Sequence, residues 1–235
     1  MTGFETFGAG HLIWLSICAL IAAAELVILK KTAEDRSSAF FRVSACAVFI
    51  LHILESLYRI YEGSFDIGTL PLHLCAIAAY LIPVHTVFPC RFLSAALFCP
   101  CLPGSIAAIL FPDWTAYPPF SPLSILGFLS HTVIAAHIAA LIAGGRYKPS
   151  FRDLPLSAVF LALYAAVILP FDTRFGTNYG FMLYPVGGTP LTLLAEIGGN
   201  GAGYRIAYMV FISIIAAAWY MIWIGAARII SIRKN

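Results

Sequence analysis

Seven long apolar stretches dictate what this chain can fold into. They cover residues 10–30, 38–61, 70–88, 91–111, 121–143, 154–171 and 204–227. Crossing the hydrocarbon of a bilayer takes roughly 20 predominantly apolar residues in a helix. Lipid offers no partner to an unpaired backbone group, so only helices and closed barrels span it. Unbroken rather than alternating apolar runs select helices. The expected fold is all-α: a polytopic membrane bundle of about seven transmembrane helices, in a single domain over 1-235. Only 11% of residues are charged and 61% are hydrophobic, whereas a soluble domain carries about a quarter charged residues. The net charge of +3 calls for no nucleic-acid partner, because membrane proteins gather Lys and Arg on one side. The six cysteines mostly fall inside the apolar runs, where a thiol behaves as a small hydrophobe and not as half of a disulfide framework. The first run has no basic residues before it and no small-residue cleavage site, so it is expected to persist as a span.

Basic residues set the orientation. Lys30, Lys31, Arg36, Arg42, Arg91, Arg146, Lys148, Arg152, Arg228, Arg233 and Lys234 fall on one side of the runs, and only Arg59, Arg174 and Arg205 on the other. The positive-inside rule then predicts an N-terminus outside and a C-terminus in the cytoplasm. The connection between the last two runs, residues 172–203, is long. Loops beyond about 12–15 residues without structure of their own tend to be functional. Its glycines, prolines, aromatic and apolar residues predict an outside-facing lid or a re-entrant segment.

Ionisable side chains at lipid depth are costly, and each is by default a candidate site. His52, Glu55 and Arg59 recur at helical spacing on one face of the second run, so Glu55 can pair with either neighbour. Pro71 suits the first turn of a helix, which puts His73 and Cys75 in the opening turns of the third. Two residues apart, these point in different directions and do not form a dyad with each other. His131 lies roughly 15 Å into its run. By depth, His52, Glu55, His73, Cys75 and His131 all fall between the outer surface and the midplane, on three different helices. A shared cavity opening outward is the expectation. His11 and Glu25 read as interface residues, His85 as facing the interface or a carbonyl, and His137 as lying deeper than His131.

Two chemistries suit such a cavity. A thiol attacks as thiolate, and an adjacent imidazole supplies it. Cys75 with His131, or with His52, would make that pair, and Glu55 or Asn178 would orient the base. His52, Glu55, His73 and His131 are also zinc-ligand types that could activate a water. No HExxH or CxxC spacing accompanies them, and neither a metal nor a cofactor is expected. Cys99-Pro100-Cys101 reads as a proline kink with small residues at a helix contact. The rival to an enzyme is a small proton-coupled transporter or lipid-binding protein, since buried His and Glu in broken helices serve transport too. A structural protein whose polar residues only join helices is the third reading.

A succession of short motifs carries a resemblance. Leu70-Pro71-Leu72-His73-Leu74-Cys75, Phe111-Pro112-Asp113-Trp114, Phe128-Leu129-Ser130-His131, and Gly176-Thr177-Asn178-Tyr179 followed by Pro-Gly-Gly resemble the YwaF-like bacterial integral membrane proteins across roughly residues 50–205. That family is similar in turn to the eukaryotic transmembrane protein 164 family of acyltransferases, which move fatty acyl chains between phospholipids. The resemblance implies a Cys75–His131 reactive pair, with His52, Glu55, His73, Asn178 and Tyr179 binding or orienting substrate. It also implies a phospholipid acyl donor and a lysolipid acceptor as partners, and a place in the bacterial cytoplasmic membrane. A more remote similarity to the androgen-induced intramembrane lipid hydrolases, which use Thr and His, implies hydrolysis as the other outcome. The chain departs from the bacterial pattern at Gly198-Gly199-Asn200-Gly201-Ala202-Gly203-Tyr204, where a Trp/Pro-rich approach to the last span is usual.

Overall fold

The computed structural model describes residues 3–187 and 189–232, with side chains as far as residue 226. Arg233 and Lys234, counted above on the basic side, lie outside the described residues, as do both ends of the chain. The architecture is all-helical. Six helices among the described residues are long and apolar enough to cross a membrane. We number the main helices α1 (Ala9–Lys31), α2 (Ser37–Tyr61), α3 (Leu74–Val87), α4 (Arg91–Leu110), α5 (Pro122–Ala143), α6 (Leu154–Phe175), α7 (Leu191–Gly198) and α8 (Ala202–Ile232).

The third apolar run is not among these six. Its helix, α3, has 14 residues and so is about 21 Å long, short of the ~30 Å hydrocarbon core. Pro71 does not start it. Asp66 instead caps a 3-10 turn over Ile67–Thr69, and Leu70 and His73 are extended, with His73 as the N-cap of α3. Proline's fixed φ suits extended backbone as well as a first helical turn, which is why the sequence misleads here. The Tyr164 hydroxyl of α6 donates to the Leu72 carbonyl at 2.8 Å and fastens this extended stretch.

Other boundaries follow local chemistry. Ser121 caps α5, accepting from the Ser124 amide, and Pro122 fills the first helical position, where no donor is needed. Gly176 ends α6 in the left-handed region at φ 71°. Within α4, Leu97–Cys101 is a π-helical turn around Pro100, the kink anticipated from Cys99-Pro100-Cys101. Such turns accommodate an extra residue where a helix is interrupted, often at functional sites.

The bundle has two distinct ends. At the basic one, Arg91 donates to the buried Asp153 carboxylate at 2.5 Å, and Tyr147 donates to it at 3.0 Å. Arg146 bridges to Ser37 and Ser38. The core behind them is aromatic, with Phe41, Phe98 and Tyr220 almost fully buried. At the opposite end the N-terminal segment, the 111–121 loop and residues 172–201 gather. His11 is buried there, not at an interface as expected: Phe7 N–H donates to its Nδ1, and its Nε2–H donates to the Ile109 carbonyl, both at 2.8 Å.

Residues 172–203 are folded rather than loose. Asp172 accepts from the Thr177 hydroxyl at 2.7 Å and from the Tyr179 amide at 3.0 Å. The short helix α7 then turns back along α8. A Cβ on Gly203 would stand 1.8 Å from the Gly198 carbonyl oxygen, so the glycine-rich stretch exists to let these two backbones touch.

Candidate active site

At the loop-rich end a cavity of about 600 Å3 opens between α2, α3, α4, α5 and α8, within the range of small-molecule sites. His52, Glu55, His73, Cys75 and His131 all line it, together with Arg59, Asp113 and Trp114. The five polar residues that depth alone grouped therefore share one space.

Cys75 is the second residue of α3. The amides of Leu74, Cys75 and Ala76 donate to no protein group among the described residues, as expected of a helix start without a side-chain cap. Their partial positive charge favours an anion beside them. The Cys75 thiol and the His131 imidazole line the same cavity.

His131 is held on two sides. Its Nδ1 lies 2.8 Å from the Gly127 carbonyl, one turn earlier in α5. A carbonyl only accepts, so Nδ1 carries the proton and Nε2 is left as the base. The indole of Trp114 stacks on the ring at 5.3 Å and 26°. Gly127 makes room for this, since a Cβ there would lie 3.0 Å from the Trp114 ring. The orienting group is thus a backbone carbonyl, and neither Glu55 nor Asn178 contacts the base through that nitrogen. A carbonyl acceptor has no sequence signature; Trp114 was visible only as part of a motif.

The remaining candidates divide. Glu55 is bound to Arg59 at 3.0 Å, one turn on along α2. His52 packs edge-on against Tyr80 at 5.5 Å, and its buried Nε2 has no partner among the described residues. His73 sits between Tyr179 at 4.9 Å and Phe181 at 5.1 Å. Asn178 and Tyr179 do not border the Cys75 cavity. They line an adjoining, more open hollow that shares His73, Asp113 and Phe181 with it. Asn178 spends its amide on the loop, donating to the Tyr184 carbonyl at 2.8 Å and accepting from the Leu183 amide at 3.0 Å. Burial raises the Tyr179 phenol above its usual range, so it stays neutral and donates to the Ile67 carbonyl.

Phe181 borders both spaces and adopts φ 59°, a conformation rare for bulky residues. Tyr204 donates to its carbonyl at 2.7 Å, and Tyr208 to that of Gly180 at 2.6 Å. Sequence reasoning missed both tyrosines and Tyr164. Among the described residues, no three His, Cys, Asp or Glu side chains are disposed to hold a metal ion.

Fold and cavity together define a multi-pass helical membrane protein with a thiol and an imidazole lining one largely apolar chamber. The chain belongs to the TMEM164 family, whose model matches residues 6–223. Comparisons with curated proteins and with solved structures gave no match.

Proposed function

We propose that this protein is an intramembrane acyl-transfer enzyme with Cys75 as nucleophile and His131 as its base. The observation that carries this reading is the fixed tautomer of His131: with Nδ1–H committed to Gly127, Nε2 is left free in the cavity that Cys75 also lines. His131 takes the thiol proton, and sulfur attacks the ester carbonyl of a phospholipid. The oxyanion that forms meets the free amides at the start of α3, where preorganised donors are most effective. Collapse expels the lysolipid alkoxide, which recovers the proton from His131, and leaves a Cys75 thioester. A second lysolipid hydroxyl, deprotonated by His131, then attacks the thioester and accepts the acyl group. Water in that position would give hydrolysis instead.

The apolar walls of the cavity suit an acyl chain, and Arg59 at its margin suits a phosphate. The family membership agrees with the acyl-transfer chemistry that the resemblance implies, and the resemblance to the bacterial proteins implies a place in a bacterial cytoplasmic membrane. Proton-coupled transport is less well supported, because His137 is sealed from solvent and forms no part of the cavity wall.

The test is mass spectrometry of the purified protein after incubation with a phospholipid carrying a labelled acyl chain. Wild type should carry the label as a hydroxylamine-sensitive adduct on Cys75, and Cys75→Ala and His131→Ala should not. Acyl turnover that survives Cys75→Ala would overturn the mechanism.

A further inference from the structure

The Cys99-Pro100-Cys101 turn has no part in the chemistry above, yet it brings a second thiol to the nucleophile. Cys101 is fully buried, and its Sγ–H donates to the Leu74 carbonyl at 3.6 Å. Leu74 immediately precedes Cys75, so standard backbone dimensions put this sulfur within about 6.5 Å of the Cys75 Cα. Cys99, two residues away on the same π-turn, lines the cavity itself, but among the described residues no hydrogen bond ties it to the backbone beside Cys75. A buried structural thiol is inert, but one beside a reactive, accessible thiol is placed to resolve its oxidation.

We infer that Cys75 and Cys101 form a redox pair that reversibly switches the site off when hydroperoxides enter the cavity. The inference rests on Cys75 being the nucleophile proposed above. The Cys75 thiolate attacks the terminal oxygen of a hydroperoxide ROOH; the O–O bond breaks and ROH leaves, taking its proton from His131. Cys75 is then a sulfenic acid. The Cys101 sulfur displaces its hydroxyl, which departs as water with the Cys101 proton, and a Cys75–Cys101 disulfide remains. An added dithiol reverses the bridge by exchange and is itself oxidised. The bridge protects Cys75 from the irreversible sulfinic and sulfonic states. Unsaturated acyl chains are themselves a source of hydroperoxides, and the apolar cavity would admit them.

The experiment treats the full-length protein in detergent with cumene hydroperoxide, then maps the cysteines by peptide mass spectrometry before and after dithiothreitol. Wild type should lose two hydrogen atoms in a cross-linked Cys75–Cys101 peptide pair, reversibly. Cys101→Ser and Cys101→Ala should instead accumulate Cys75 sulfinic acid, and Cys99→Ser should behave as wild type. A bridge to Cys99, or sulfinic acid on wild-type Cys75 without a bridge, would overturn the inference. The readout needs no lipid substrate. Failure here with an intact acyl adduct on Cys75 removes the switch alone, whereas loss of both removes the nucleophile.

Discussion

Two sets of buried polar side chains share this bundle, and they are built to opposite plans. Toward the basic end, His137 meets the Ser44 hydroxyl at 3.0 Å, and Ser44 donates to Glu25 at 2.6 Å. His85 meets Ser94 at 2.8 Å nearby. His137 has no exposed surface, and neither His85 nor His137 borders the cavity. At the other end, His52, His73 and His131 line a chamber beside a thiol. Burying an imidazole costs free energy at either end. Polar side chains in a membrane are therefore not a site by themselves. Free volume beside the group separates a site from a strut.

The largest expected difference between the two ends is in turnover. His131→Ala should lower acyl turnover by about 10²–10⁴-fold, the range for a lost general base, and Cys75→Ala by at least as much. His137→Leu should leave turnover per folded molecule within a few-fold. Labelled-lipid assays on the three variants check this, and a His137→Leu as dead as Cys75→Ala at unchanged melting temperature would erase the distinction.

Next in size is Gly127→Ala. Its methyl group would press on the Trp114 indole and shift the ring that stacks on His131. Misplacement on that scale should cost roughly ten- to a hundredfold in kcat, with lipid retention unaltered. A turnover unchanged by this variant would show that the stacking has no positioning role.

Gly180→Ala sharpens the comparison from the loop side. Gly180 has φ 69°, and a Cβ would sit 2.9 Å from the Tyr164 hydroxyl oxygen. The hydroxyl's bond to Leu72 should be disturbed together with the turn, lowering stability by about 1–3 kcal/mol. Thermal unfolding in detergent reads this loss, and limited proteolysis should locate the loosening near residues 178–184.

The smallest effect is expected from Ser44→Ala, which leaves His137 and Glu25 one partner short. Hydrogen bonds between membrane helices average about 0.6 kcal/mol, so the melting temperature should fall slightly and acyl turnover should hold. Turnover that fell in step with Cys75→Ala would move this cluster into the mechanism.

The sequence reveals some of this arrangement better than the rest. Apolar run length made the helices legible, because lipid imposes one rule on every span. The start of α3 was misread, since Pro71 fits two backbones equally and the capping by Asp66 lies five residues upstream. Depth brought His52, Glu55, His73, Cys75 and His131 together, because height along a helix is countable. It said nothing of which nitrogen of His131 is free, as that depends on a main-chain oxygen of Gly127. Asn178 was a candidate to orient the base through its place in the Gly176-Thr177-Asn178-Tyr179 motif, but its own turn claims both ends of the amide. Tyr164, Tyr204 and Tyr208 were lost among eleven tyrosines with no spacing to single them out.

The indole of Trp114, stacked on the imidazole of His131, also makes the protein its own optical instrument. A protonated imidazole quenches a neighbouring indole more strongly than a neutral one. The other three tryptophans, Trp14, Trp219 and Trp223, lie outside the cavity lining and can be replaced by phenylalanine. What remains is a single emitter whose brightness follows the proton on His131 in real time, without a label and within the lipid.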